Sequence, residues 1–166
     1  LVADEFAISY DDVRIMITST EKNNNTPPTA ASAGTDLNGM AALNACRKIR
    51  KNLTEFASSY LLSPDSGFDP SPENIIFENG IIYDDRCKVR FPEHKITFRE
   101  LVKLAFMERI SLGERGFYAT PEIDFNRETE KGEPFYYYTT CASVSEVLID
   151  RFTGQLKLER ADLLMD

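Results

Sequence analysis

Between Thr26 and Gly39 the chain reads TPPTAASAGTDLNG, which sets the hydroxyls of Thr29, Ser32 and Thr35 among Ala30, Ala31, Ala33 and Gly34. A long helical pattern follows directly. Small side chains let a backbone approach a ligand closely, and hydroxyls add donors. The first-turn amides of a helix lack internal partners, and the helix dipole favours an anion beside them. The segment therefore reads as a candidate anion-binding helix entry that uses no lysine, although an ordinary Ser/Thr-capped helix start has the same composition. Other chemistry is thinly supplied. Cys46, Cys87 and Cys141 lie far apart with no CxxC pair, which reads as reduced thiols in a cytoplasmic protein. The single histidine, His94, sits in the turn-like FPEHKIT and is expected to be exposed and structural, leaving no metal site and no histidine dyad. Glu146 lies inside the strand-like CASVSEVLID, where a structural or edge position is the ordinary reading. GxSxG, GxGxxG and GxxxxGK[ST] are all absent.

The balance of the chain narrows the classes further. A net charge of −8 argues against nucleic acid as a partner, since neutralising phosphates needs a lysine and arginine surplus. The one basic cluster, Arg47, Lys48, Arg50 and Lys51, fits a solvated helix face. Hydrophobic and charged fractions of 42% and 28% are those of a globular protein, and 166 residues suit one domain. No apolar run approaches the roughly 20 residues that span a bilayer. LVADEFAIS has neither a signal peptide's pattern nor an initiator methionine, so the chain reads as an internal piece of a longer protein.

The elements that must position these residues follow from periodicity. Val2 to Ile8 has a short helical pattern, and Val13 to Ile17 alternates like a strand. Lys22 to Pro28 is a polar loop. From Asp36 to Tyr60 a long helix is predicted, with Met40, Leu43, Cys46, Ile49, Leu53, Phe56 and Tyr60 at helical spacing. Asn79-Gly80 between two isoleucine-rich runs predicts a hairpin. Thr97 and Glu100 fit a capping box opening a helix to about Arg109. Phe117 to Ile123 and Tyr136 to Ile149 read as strands. Arg151 to Gly154 turns the chain into Gln155 to Leu164, where Leu156, Leu158 and, after a shift, Leu163 are expected to point inward. The fold class expected is α+β, with helices layered on a mixed sheet.

TPPTAASAGTDLNG strongly resembles the SPTAAS-type segment of the xanthine dehydrogenase and aldehyde oxidase family, in the part that holds the molybdenum cofactor. RISLGERGFYATPEIDF, from Arg109 to Phe125, is similar to the family's GFYxTP segment. GEPFYYYTTCASVSEVLIDRFTG and RADLLMD resemble its next two segments, in the family's order. The hairpin before the second helix looks most like bacterial xanthine dehydrogenase large subunits.

The resemblance implies that residues 1–166 are an internal fragment of a single molybdopterin-binding domain. The whole enzyme would hydroxylate a purine or related heterocycle with oxygen from water. Electrons would pass from molybdenum–molybdopterin to Fe–S clusters, FAD and NAD on other domains or subunits, in a cytoplasmic homo-oligomer with no membrane partner. Carried over residue by residue, Ala31 lies beside the substrate, and Thr29, Ala30, Ala31, Ser32, Gly34 and Thr35 contact the cofactor. The family's catalytic glutamate belongs to a Gly-Glu-Pro-Pro segment absent from this sequence, so no catalytic residue is assigned and the fragment alone is expected to be inactive. Alternatives are an aldehyde or other heterocycle hydroxylase of the same family, and a non-catalytic binding or assembly module that keeps the fold. Thr140-Cys141 and Leu164-Met165 depart from the family's usual Tyr-Gly and Leu-His. The run Phe135 to Tyr138 is a candidate for exposed apolar surface.

Overall fold

The computed structural model describes residues 1–22, 28–30, 33–62, 67–89, 91–92 and 94–165. It divides into two compact units, Leu1–Ala119 and Thr120–Asp166.

In the first unit, helices α1 (Val2–Phe6), α2 (Met40–Leu61) and α3 (Phe98–Met107) pack with a three-stranded antiparallel sheet of order β1-β2-β3. The strands are β1 (Ile75–Glu78), β2 (Ile81–Asp84) and β3 (Lys95–Thr97). Phe77 pairs with Ile82, and Ile82 with Ile96, so the three stand in one row across the sheet. All three are buried, and with Leu53, Ala57, Leu61, Leu101 and Ala105 they form the core. Asn79 and Gly80 both have positive φ, 50° and 75°, the geometry that a two-residue hairpin turn requires. The capping box is formed as expected: Glu100 N donates to Thr97 Oγ1 at 3.3 Å and Thr97 N to Glu100 Oε2 at 3.2 Å.

Four details of this unit correct the expectation. Val13 to Ile17 is not a strand; Ile15 and Ile17 are 92% and 86% exposed. Alternation makes a strand only where a neighbour supplies the ladder, and none is paired with this run among the described residues. The buried stripe of α2 ends on Ala57 and Leu61 rather than Tyr60, which stacks on Phe56 and stays exposed. Arg50 leaves the solvated face: its guanidinium donates to the Glu5 carbonyl at 2.8 Å and lies over the Phe77 ring. His94 is half-buried rather than exposed and stacks on Phe91.

The second unit holds two antiparallel ladders, β4 (Asp124–Asn126) with β5 (Lys131–Glu133), and β6 (Cys141–Ile149) with β7 (Leu156–Met165). The expected strand at Phe117 to Ile123 is absent, and Tyr136 to Thr140 precede β6 rather than belonging to it. A register shift between Glu146 and Val147 puts the pairs Val147–Leu158 and Ser143–Leu163 on one face. Leu156, Leu158 and Leu163 therefore share that face, but all three are exposed rather than turned inward, because no layer of this unit covers the two-stranded ladder among the described residues. Glu146 is paired with Arg160 on the other face, a structural position. Asp150 closes the hairpin by accepting from Phe152 N at 2.7 Å and Thr153 N at 2.9 Å. Apart from half-buried Thr120 and Pro134, the described residues of this unit are exposed, Phe135 to Tyr138 among them. The class is α+β, and every ladder among the described residues is antiparallel.

Candidate cofactor-binding site

Of the six candidate contacts, Thr29, Ala30, Gly34 and Thr35 are described, while Ala31 and Ser32 lie outside the described residues. Thr29, Ala30 and Thr35 are exposed and Gly34 is half-buried. Ala33 N donates to Ala30 O at 3.2 Å just before the helix. Gly34–Gly39 then makes a widened π-type turn, and α2 begins at Met40. Such turns interrupt the regular ladder and recur at functional sites.

The local sequence explains the form. Ala33 stands at the cap position of the widened turn, and its methyl offers no side-chain cap to the amides that follow. Donors of this kind, with the positive end of the helix dipole, suit a phosphate or the polar edge of a pterin. Asp36 is the acid of this turn and has a partner of its own. Among the described residues a Cβ added at Gly34 would meet the Thr29 methyl, at 3.8 Å, so Thr29 and Gly34 are neighbours. The donor chemistry and the small residues fit an extended anionic cofactor.

A second segment reaches the start of the same helix. A methyl group on Gly116 would collide with the Ala41 carbonyl oxygen, so this backbone rests directly on the first turn of α2. The GFYxTP-like segment therefore approaches the helix that carries the candidate loop. Its Phe117 and Tyr118 are absent from the residues that spacing alone singled out, because only long-range packing brings them there.

The remaining candidates have other, structural settings. Burial, then the nearby Glu5 carboxylate, push the Cys46 thiol above its ordinary range, as befits an inert core sulfur. Cys87 is also buried. Asp84, fully buried, is gripped by Arg86 at 2.7 and 3.0 Å, which locks the end of β2. A groove of about 1210 Å³ includes Ala7, Asp12, Arg14, Asn79 and Arg99 in its lining but none of the candidate contacts. Its Arg99 is already paired with Asp12. The two departures from the family pattern prove to be neighbours: Cys141 and Met165 are direct cross-strand partners at the end of the β6–β7 ladder. No helix among the described residues is long and apolar enough to cross a membrane.

A model of the molybdopterin cofactor-binding domain matches residues 1–166. The chain is 35% identical over 166 residues to a xanthine dehydrogenase of Oryza sativa subsp. japonica, covering 100% of this chain and 10% of that protein. It is 33% identical over 169 residues to a xanthine dehydrogenase of Dictyostelium discoideum, covering 100% and 10%. A xanthine dehydrogenase/oxidase of Gallus gallus is 35% identical over 159 residues, covering 96% and 9%. The chain thus spans about a tenth of the length of these relatives. With the match running from its first residue to its last, over the uncapped helix entry and the segment seated on it, the chain belongs to the molybdopterin cofactor-binding domain family.

Proposed function

We propose that residues 1–166 are part of one cofactor-binding domain in a xanthine dehydrogenase-like molybdenum hydroxylase, with the Thr29–Thr35 loop as one wall of its site. The observation that carries the reading is the full-length family match, joined to a loop whose exposed small residues and uncapped first turn suit an anionic pterin. Thr29, Ala30, Ala31, Ser32, Gly34 and Thr35 hold the cofactor, and Ala31 borders the substrate. When bound, the group supplies a metal that accepts the electrons of a hydroxylation whose oxygen comes from water. The chain's own residues bind and orient: backbone amides at the helix start take the anion, threonine and serine hydroxyls add donors, and Gly34 keeps the approach open.

The substrate is a purine, a choice supported by relatives named xanthine dehydrogenase over the aldehyde oxidase alternative. Electrons leave through Fe–S clusters and FAD on other domains or subunits to NAD, in a cytoplasmic homo-oligomer. A bacterial origin rests on the hairpin likeness alone. The 166-residue chain by itself is inactive on this reading.

Ala31→Glu in the full-length protein tests the site. A long carboxylate in place of a methyl fills the substrate's position, and xanthine turnover should vanish while molybdenum content stays near that of the parent. Normal xanthine oxidation by a molybdenum-loaded variant would sink the assignment of Ala31. A parent protein that contains no molybdenum favours the non-catalytic module instead.

A further inference from the structure

Three side chains of α2 reach the same neighbouring segment. Asn44 Nδ2 donates to the Phe117 carbonyl at 2.9 Å, Lys48 Nζ to the Arg115 carbonyl at 3.0 Å, and Asn52 Nδ2 to the Ser111 carbonyl at 3.0 Å. Spaced four apart, they form one stripe along the helix, with rungs about 6 Å apart along its axis. The segment runs antiparallel to α2, from Ser111 at Asn52 towards the helix start at Phe117. Its spacing fits. Arg115 to Phe117 is two residues, which extended backbone covers in about 6.6 Å, nearly one helical rung. Ser111 to Arg115 is four residues for the same rise, so the chain must contract there. The Ser111 hydroxyl donates to the Gly113 carbonyl at 3.4 Å within that contracted stretch.

The ladder is anchored at both ends. Ile110 and Leu112 pack against the core at the Asn52 end. At the other, Gly116 lies on the Ala41 carbonyl, where any side chain would collide with helix backbone. Ala41 is two residues beyond the widened turn that carries Gly34 and Thr35. The same helix thus fixes the candidate loop by its start and the Phe117–Tyr118 backbone by its side chains.

We infer that Asn44, Lys48 and Asn52 are positioning residues: they hold the Ser111–Phe117 segment in register on α2, so that Gly116 and Phe117 stand beside the start of that helix and support the cofactor loop. The inference rests on the cofactor reading of that loop. Nothing in the three side chains themselves meets the cofactor; they act through the segment.

The test uses the full-length protein with Asn44→Asp, Asn52→Asp and Lys48→Met, each near the original size without the donor. Lys48→Gln, which keeps a donor, is the conservative control. Amide hydrogen exchange over 111–118, pterin released per protein and melting temperature are measured together. Loss of one rung should raise exchange in that stretch up to about fivefold, the effect of one net hydrogen bond. The Asn44→Asp/Lys48→Met pair should lower pterin occupancy several-fold while exchange in the core of β1, β2 and α3 stays as in the parent. Lys48→Gln should restore both readouts. Unchanged exchange over 111–118 in the double variant overturns the ladder. Faster exchange with undiminished pterin, in a parent that carries pterin, overturns the positioning role alone. A parent free of pterin overturns the cofactor reading and the inference with it.

Discussion

Thr97 and Glu100 each satisfy the other's backbone amide, and the hydroxyl–carboxylate contact is 2.6 Å. The Thr97 hydroxyl first, and then its amide, hold the Glu100 carboxyl below the usual carboxylate range. Asp150 is lowered in the same way by the amides of Thr153 and Phe152. Because folding depresses these values, the stabilisation is fully present above the unfolded-state pKa and is lost as pH falls through the folded one. Glu100→Gln should therefore flatten the acid side of a melting-temperature profile taken from about pH 3 to 6, and leave it little changed in shape near neutrality. An unaltered acid limb would contradict the cap's charge. Thr97→Ala should cost about 1 kcal/mol, as loss of an N-cap oxygen does. This motif was legible in the sequence because every partner lies within three residues. The Cys141–Met165 pairing was not, since a register joining residues so far apart cannot be read from either side.

At the scale of elements, the same distinction separates what could be read from what could not. The β1–β2 hairpin follows from Asn79-Gly80, whose backbone preferences act locally. Val13 to Ile17 and Phe117 to Ile123 have strand-like composition, but strands are made by neighbours. The first run has none paired with it among the described residues, and within the second the Phe117 carbonyl takes its hydrogen bond from Asn44, a helix side chain. β3 is three residues long and too short to rise above the turn-like text around it. Helix α2 was predicted over nearly its whole length, yet the periodicity placed Tyr60 in the core where the structure puts Ala57 and Leu61. That difference has a measurable consequence. Leu53 is fully buried, and Leu53→Ala should cost about 2–5 kcal/mol in unfolding free energy. Tyr60→Ala, at a 52% exposed position, should cost under about 1 kcal/mol. Equal losses in denaturant unfolding would mean that the buried stripe has been drawn on the wrong side of the helix.

For the molecule as a whole, the candidate site was legible as a loop and illegible as a place. The run of small and hydroxylated residues before a helix announced an anion-binding entry, but composition could not separate it from an ordinary cap. The uncapped, widened turn at Gly34–Gly39 sharpens that reading, and the backbone resting on Ala41 adds a second segment beside it. The chain spans about a tenth of the length of its relatives. The central claim is that the loop holds molybdopterin, and Gly34 separates holding a ligand from holding the fold. Among the described residues a methyl there meets the Thr29 methyl alone, at 3.8 Å, and Gly34 is outside the packed core, so Gly34→Val is expected to spare that core. The direct measurement is pterin released per full-length protein, parent against Gly34→Val, with melting temperature as the control. The account predicts near-stoichiometric pterin in the parent and a several-fold loss in the variant at little changed melting temperature; equal pterin in the two would contradict it.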